Sequence, residues 1–80
     1  MTSDDGVRLA TIFRLVLDLP GDAPVADIRR VVEPRWDSLA HASLVAAIES
    51  EYSIQMNSAD IDALTSYRGA VLLLQDKGVW

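Results

Sequence analysis

All three prolines of this chain, Pro20, Pro24 and Pro34, fall between positions 20 and 34. Each lacks an N–H, fixes its own φ and pushes the preceding residue out of helical backbone, so no helix can run through that window. The fold must therefore be built from what lies on either side. Before the window, Leu9, Ile12, Phe13 and Val16 recur at the spacing of one helix face, with Arg8, Thr11, Arg14 and Asp18 opposite. This predicts a helix from about residue 5 to 19, capped by Asp4 or Asp5 and stopped by Pro20-Gly21. Within the window, Val25, Ile28 and Val32 are spaced for one or two helical turns packed back on the core. A connection of this length is uncommon in a compact domain and is often functional.

After the window the helical period returns. Pro34 keeps Arg35 and Trp36 outside the next helix, Asp37 is placed to cap it, and Ser38 opens it. The helix is expected to run over 38–52. Leu44, Val45, Ile48 and Tyr52 share one arc with His41, which makes that arc core. Leu39, Ala42 and Ala46 share the opposite arc, flanked by Ser43, Glu49 and Ser50. This second strip is shallow and apolar and begins at the serine, which suits docking of a partner helix or loop. Asn57 or Ser58 can cap a short helix over about 59–64. Thr65 or Ser66 can cap a last one over 66–76, with Tyr67, Ala70, Val71 and Leu74 buried, Lys77 near its negative end and Gly78 as its stop. Leu72 and Leu73 widen that stripe enough to leave apolar surface exposed.

The expected architecture is a single all-α domain over 1–80: a small bundle of three main helices and one short helix, with a long first loop. Eighty residues lie near the lower limit for a core without staples, and the absence of cysteine removes disulfides and thiolate metal sites. Half the residues are apolar, enough for a helical core. The polar, acidic N-terminus does not read as a signal peptide, and no apolar run approaches the ~20 residues of a membrane span. The expectation is a cytoplasmic monomer. A net charge of −5 argues against nucleic acid, whose phosphates require clustered Lys and Arg, and favours partners with basic patches. Arg29, Arg30 and Arg35 form one small basic group, either a solvated loop edge or a contact for an acidic partner or a phosphate.

Catalytic constellations are sparse. His41 follows Ser38 by three residues, so the side chains can be neighbours on the helix, but no third group completes a triad. The arc places His41 at the core edge as a hydrogen-bonded structural residue. Asp60 and Asp62 read as capping and solubility rather than a carboxylate pair. Of the other serines, Ser58 and Ser66 are caps, Ser3 belongs to a disordered terminus, and Ser43 and Ser50 lie inside the second helix, away from its N-terminal amides. Ser38 combines a helix start, an acidic residue before it and a leucine after it. Free amides and the positive end of the helix dipole make that a favourable place for a phosphate.

The residues around Ser38 carry a family resemblance. Asp37-Ser38-Leu39, Leu44-Val45, Ile48-Glu49, Glu51-Tyr52 and Ile54, followed by Asp60-Ile61, Leu64-Thr65-Ser66-Tyr67, Ala70-Val71 and Leu74, resemble the acyl carrier proteins over roughly residues 5–76. The resemblance implies that Ser38 is the attachment point for 4′-phosphopantetheine, supplied from coenzyme A by a Mg²⁺-dependent phosphopantetheinyl transferase. The arm would hold an acyl or aminoacyl group as a thioester. Asp37, Leu39, Ala42, Ala46 and Glu49 would form the docking face for the transferase, for a loading ligase or transferase, and for downstream biosynthetic enzymes. The chain itself would be a carrier and not an enzyme. Trp36 stands where many carriers of fatty acid synthesis have glycine nearby, and Ala40, Ser43 and Ser50 occupy positions that are often acidic. The resemblance therefore points toward stand-alone carriers of specialised metabolism, in fatty acid or polyketide biosynthesis, whose partners are not the enzymes of fatty acid synthase. An aminoacyl or peptidyl carrier is the nearest variant, and an unmodified helical interaction domain is the rival class.

Overall fold

The computed structural model describes residues 3–80, with side chains from residue 6 onward. Its element order is α1 (Ser3–Val16), a 3-10 turn (Arg30–Val32), α2 (Ser38–Tyr52), α3 (Ser58–Ala63) and α4 (Tyr67–Asp76). It is a small all-helical bundle with a long first loop, and no helix among the described residues is long and apolar enough to cross a membrane.

The end of α1 departs from the expected one. The helix closes at Val16, three residues earlier than proposed, because Asp18 takes a left-handed conformation with φ of 55°. The Leu19 amide then bonds back to the Arg14 carbonyl at 2.8 Å, and the Leu17 amide to the Phe13 carbonyl at 3.0 Å. This closes the last turn from within, ahead of Pro20. Leu17 continues the four-residue spacing of Leu9 and Phe13, so the buried stripe is Leu9, Ala10, Phe13 and Leu17, with Ile12 and Val16 partly covered. At the other end, Ser3 opens α1 instead of lying in a disordered terminus. Asp4 and Asp5 fall in the first turn, and the capping expected of them rests on side chains outside the described residues.

Phe13 is the hub of the core. Its ring meets Trp36 edge-on at 5.5 Å and Tyr67 edge-on at 5.1 Å, contacts worth about 0.5–1.5 kcal/mol each beyond the area they bury. Leu44 and Ile48 of α2, Leu64, and Ala70 and Leu74 of α4 complete the enclosed volume. Trp36 was expected only to lie outside the helix; the structure also buries it.

The remaining helix ends follow their caps. Asp37 accepts from the Ala40 amide at 2.9 Å and starts α2 at Ser38 as expected. Ser53, left-handed at φ of 55°, ends it. Asn57 and Asp60 form a reciprocal capping box, which starts α3 at Ser58, one residue ahead of the expected start. Asp60 also receives Lys77 Nζ at 2.9 Å, tying α3 to the end of α4. That ammonium, then the Asn57 amide, holds the Asp60 carboxyl below the ordinary carboxylate value. Ser66 caps α4 through the Gly69 amide, and Gly78 supplies the positive φ of 78° beyond its end.

The long loop is held to α4 by two backbone bonds, from the Arg30 amide to the Thr65 carbonyl at 2.8 Å and from the Tyr67 amide to the Ile28 carbonyl at 3.0 Å. They form an isolated antiparallel bridge between Arg29 and Ser66. Arg14 donates twice to the Ala23 carbonyl, at 3.2 and 3.1 Å, fixing the loop's first half to α1.

Candidate functional site

Three neighbouring residues divide the work at the start of α2. Trp36 is buried, Asp37 caps, and Ser38 is exposed as the first helical residue. The Ser38 hydroxyl has no hydrogen bond to any described residue. The amides of Ser38 and Leu39 lie ahead of the first intrahelical bond, which runs from the His41 amide to the Asp37 carbonyl at 2.8 Å, and Asp37 has already taken the Ala40 amide. An exposed hydroxyl beside two unclaimed donors at a helix N-terminus fits a phosphodiester, whose negative charge the helix dipole favours.

His41 is committed elsewhere. Trp36 Nε1–H donates to its Nδ1 at 3.0 Å, which fixes the proton on Nε2, and that nitrogen donates to the Ile61 carbonyl at 2.9 Å. Both ring nitrogens are used, the residue is buried, and the ring is stacked against Trp36 with centroids 6.1 Å apart. It has no free nitrogen with which to take a proton from Ser38 Oγ. The histidine links the long loop, α2 and α3, and it holds Trp36 in place two residues before the serine. Among the described residues no group of acids and histidines is placed to hold a metal ion.

The expected docking residues do not all have the same standing. Leu39 is 78% exposed, and Asp37, Ala42 and Ala46 are also on the surface. Leu39 borders a groove of about 390 Å³ whose far wall is Val16, Leu17 and Asp18 and whose near wall includes Arg35 and Ser43. Glu49 is partly covered, and its Oε2 accepts from the Met56 amide at 2.8 Å. Its charge therefore holds the turn after α2, where the Ser53 and Ile54 amides also bond to the Glu49 carbonyl. The apolar strip from Leu39 to Ala46 is accessible along its length, whereas Glu49 closes the helix.

The three arginines expected as one group are divided between two places. Arg35 lies on the groove beside Leu39, with Glu33 at 4.0 Å. Arg29 and Arg30 line a separate cavity with Val31, Trp36, Thr65 and Ser66. The sequence offers no signal for that cavity, because it is formed by the single backbone bridge to α4.

Comparison with family models, with curated proteins and with solved structures finds no match to this chain.

Proposed function

We propose that the protein is a phosphopantetheine carrier modified at Ser38. One observation carries the reading: the exposed Ser38 hydroxyl, bonded to none of the described residues, sits on a capped helix start while His41, the base nearest in sequence, has both ring nitrogens bonded elsewhere. A serine placed this way is suited to accept a group from another enzyme and poorly suited to attack a substrate unaided. Attachment replaces the Ser38 Oγ–H bond by an Oγ–P bond. The adenosine bisphosphate half of coenzyme A leaves, and the hydroxyl proton passes to the transferase. When bound, the arm supplies a thiol that can hold an acyl or aminoacyl group as a thioester.

This chain's own contribution is positional. Asp37 sets the helix start, and the amides of Ser38 and Leu39 would hold the phosphodiester charge. Leu39, Ala42 and Ala46 offer partner enzymes an apolar strip beginning beside the attachment point, and Asp37 marks its charged end. Stand-alone action in specialised biosynthesis, with a separate loading ligase or transferase, remains the reading for its partners.

The deciding measurement is intact mass after incubation with a broad-specificity phosphopantetheinyl transferase and coenzyme A. The wild-type chain gains one phosphopantetheine and Ser38→Ala gains none, while both retain the same helical spectrum. An unmodified wild type, under conditions that convert known carriers, refutes attachment and favours an unmodified interaction domain using the same face.

A further inference from the structure

Five of the seven cationic side chains are engaged within the fold. Arg8 bonds to Glu51, Arg14 to the Ala23 carbonyl, Arg35 approaches Glu33, Arg68 meets Asp27 at 3.1 Å and Lys77 meets Asp60. The other two, Arg29 and Arg30, have no ion pair or side-chain hydrogen bond among the described residues, and both line the same cavity of about 670 Å³. In a chain of net charge −5, two adjacent unpaired guanidiniums are the exception.

The cavity has a built position. The Arg30 amide bonds to the Thr65 carbonyl and the Tyr67 amide to the Ile28 carbonyl, so the backbone carrying both arginines is pinned against the start of α4. The acids closest in sequence are already used: Asp27 is paired with Arg68, and Glu33 receives the Arg35 amide at 2.9 Å. Trp36, held by His41, and Val31 give the cavity apolar lining, and Thr65 and Ser66 complete its wall. Guanidinium groups present planar forks of donors that match a carboxylate, and the apolar lining suits a hydrocarbon chain leading to it.

We propose that this cavity is a carboxylate-binding site that takes the distal carboxylate of an acidic acyl cargo. The cargo assignment rests on Ser38 carrying the arm, because Trp36 in the cavity lining is only two residues from that serine. The binding step is non-covalent: the carboxylate exchanges water for the Arg29 and Arg30 N–H donors.

The test uses the whole chain, ¹⁵N-labelled, at low ionic strength. Free glutarate, uncharged glutaramide and inorganic phosphate are titrated while the Trp36 indole N–H, assigned with Trp80→Phe, is followed by NMR. Glutarate is expected to shift that signal saturably, glutaramide not to shift it, and phosphate to act more weakly. The double variant Arg29→Gln/Arg30→Gln, which leaves the pinning backbone bonds available, is expected to weaken glutarate about tenfold or more, the scale of losing charge-assisted hydrogen bonds. In a second arm, the transferase moves glutaryl- or pentanoyl-phosphopantetheine from the corresponding coenzyme A thioester onto Ser38 Oγ, releasing adenosine bisphosphate, and loading is read by intact mass. Only the glutaryl form is expected to shift the Trp36 signal, and only with the two arginines present. No response to glutarate, an equal response to glutaramide or phosphate, or an unchanged response in the double variant overturns the site. Equal shifts from the two loaded forms overturn the cargo assignment. A chain whose mass does not change refutes attachment at Ser38, and the free-glutarate titration still decides the cavity.

Discussion

The two faces of α2 are similar in how apolar they are and opposite in what the fold does with them. On one face His41, Leu44, Ile48 and Tyr52 are buried, and on the other Leu39, Ala42 and Ala46 stand on the surface. The covered face uses large side chains that fill volume against α1 and the loop. The open face uses two alanines after one leucine, which leaves the backbone approachable and costs little helix stability, since alanine is the best helix former. Stability should therefore be carried by one face and recognition by the other, with Ser38 and its cap at the end where both begin. The same helix can be perturbed on either side, so the division is open to direct measurement.

The largest expected effect is on the buried face. Ile48 is fully buried, and Ile48→Ala removes its contacts and leaves a cavity, at about 2–5 kcal/mol. A domain of this size has only ~5–15 kcal/mol in total, so the loss is a large share of the stability and the urea midpoint is expected to fall in proportion. Urea unfolding followed by circular dichroism measures it. Native-like unfolding of Ile48→Ala would break the comparison at its strongest point.

The next effect belongs to the polar member of that face. In His41→Phe the ring volume is roughly kept, but the buried Trp36 indole N–H and the Ile61 carbonyl lose their partner. Unsatisfied buried groups cost about 1–3 kcal/mol. The variant should therefore be less stable than wild type despite gaining an apolar side chain. Its Trp36 indole proton should also move toward the shift of an unbonded indole. Equal stability to wild type would mean that the bridge does not stabilise the fold. The buried face would then depend on its apolar residues alone.

How much of this was legible depended on the range of the interaction. The start of α2 could be read because Asp37 and Ser38 act on amides within three residues, and its two arcs followed from periodicity alone. The end of α1 is less legible, because Pro20 marks the obvious stop whereas the left-handed turn at Asp18 closes the helix first. The four-residue spacing of Leu9, Phe13 and Leu17 was the available clue. The burial of His41 was legible, but its partners were not: one is an indole across a loop junction and the other a backbone carbonyl of α3, which carries no residue signature. Glu49 read as a surface charge because its bond goes to an amide seven residues on. The separation of Arg35 from Arg29 and Arg30 depends on one bridge between single residues, too short to leave a strand pattern.

The smallest effect on stability, and the one that sharpens the division most, is on the open face. Leu39 is 78% exposed, so Leu39→Ala should change unfolding by no more than about 0.5 kcal/mol. If a partner pocket covers Leu39 fully, the same substitution loses about 1.5–3 kcal/mol of binding. Glu49→Gln is the matched control. Its side-chain carbonyl can still accept from the Met56 amide, and exposed charge pairs are worth only ~0–1 kcal/mol and are screened by salt. Transfer of phosphopantetheine to each variant, measured at limiting protein concentration and at low and raised ionic strength, should fall more for Leu39→Ala than for Glu49→Gln and depend modestly on salt. Steep salt dependence with Leu39→Ala near wild type would move recognition from the apolar strip to charge, with Asp37 at the helix start as the first residue to test. A Leu39→Ala protein that melted early would show instead that the open face is part of the core after all.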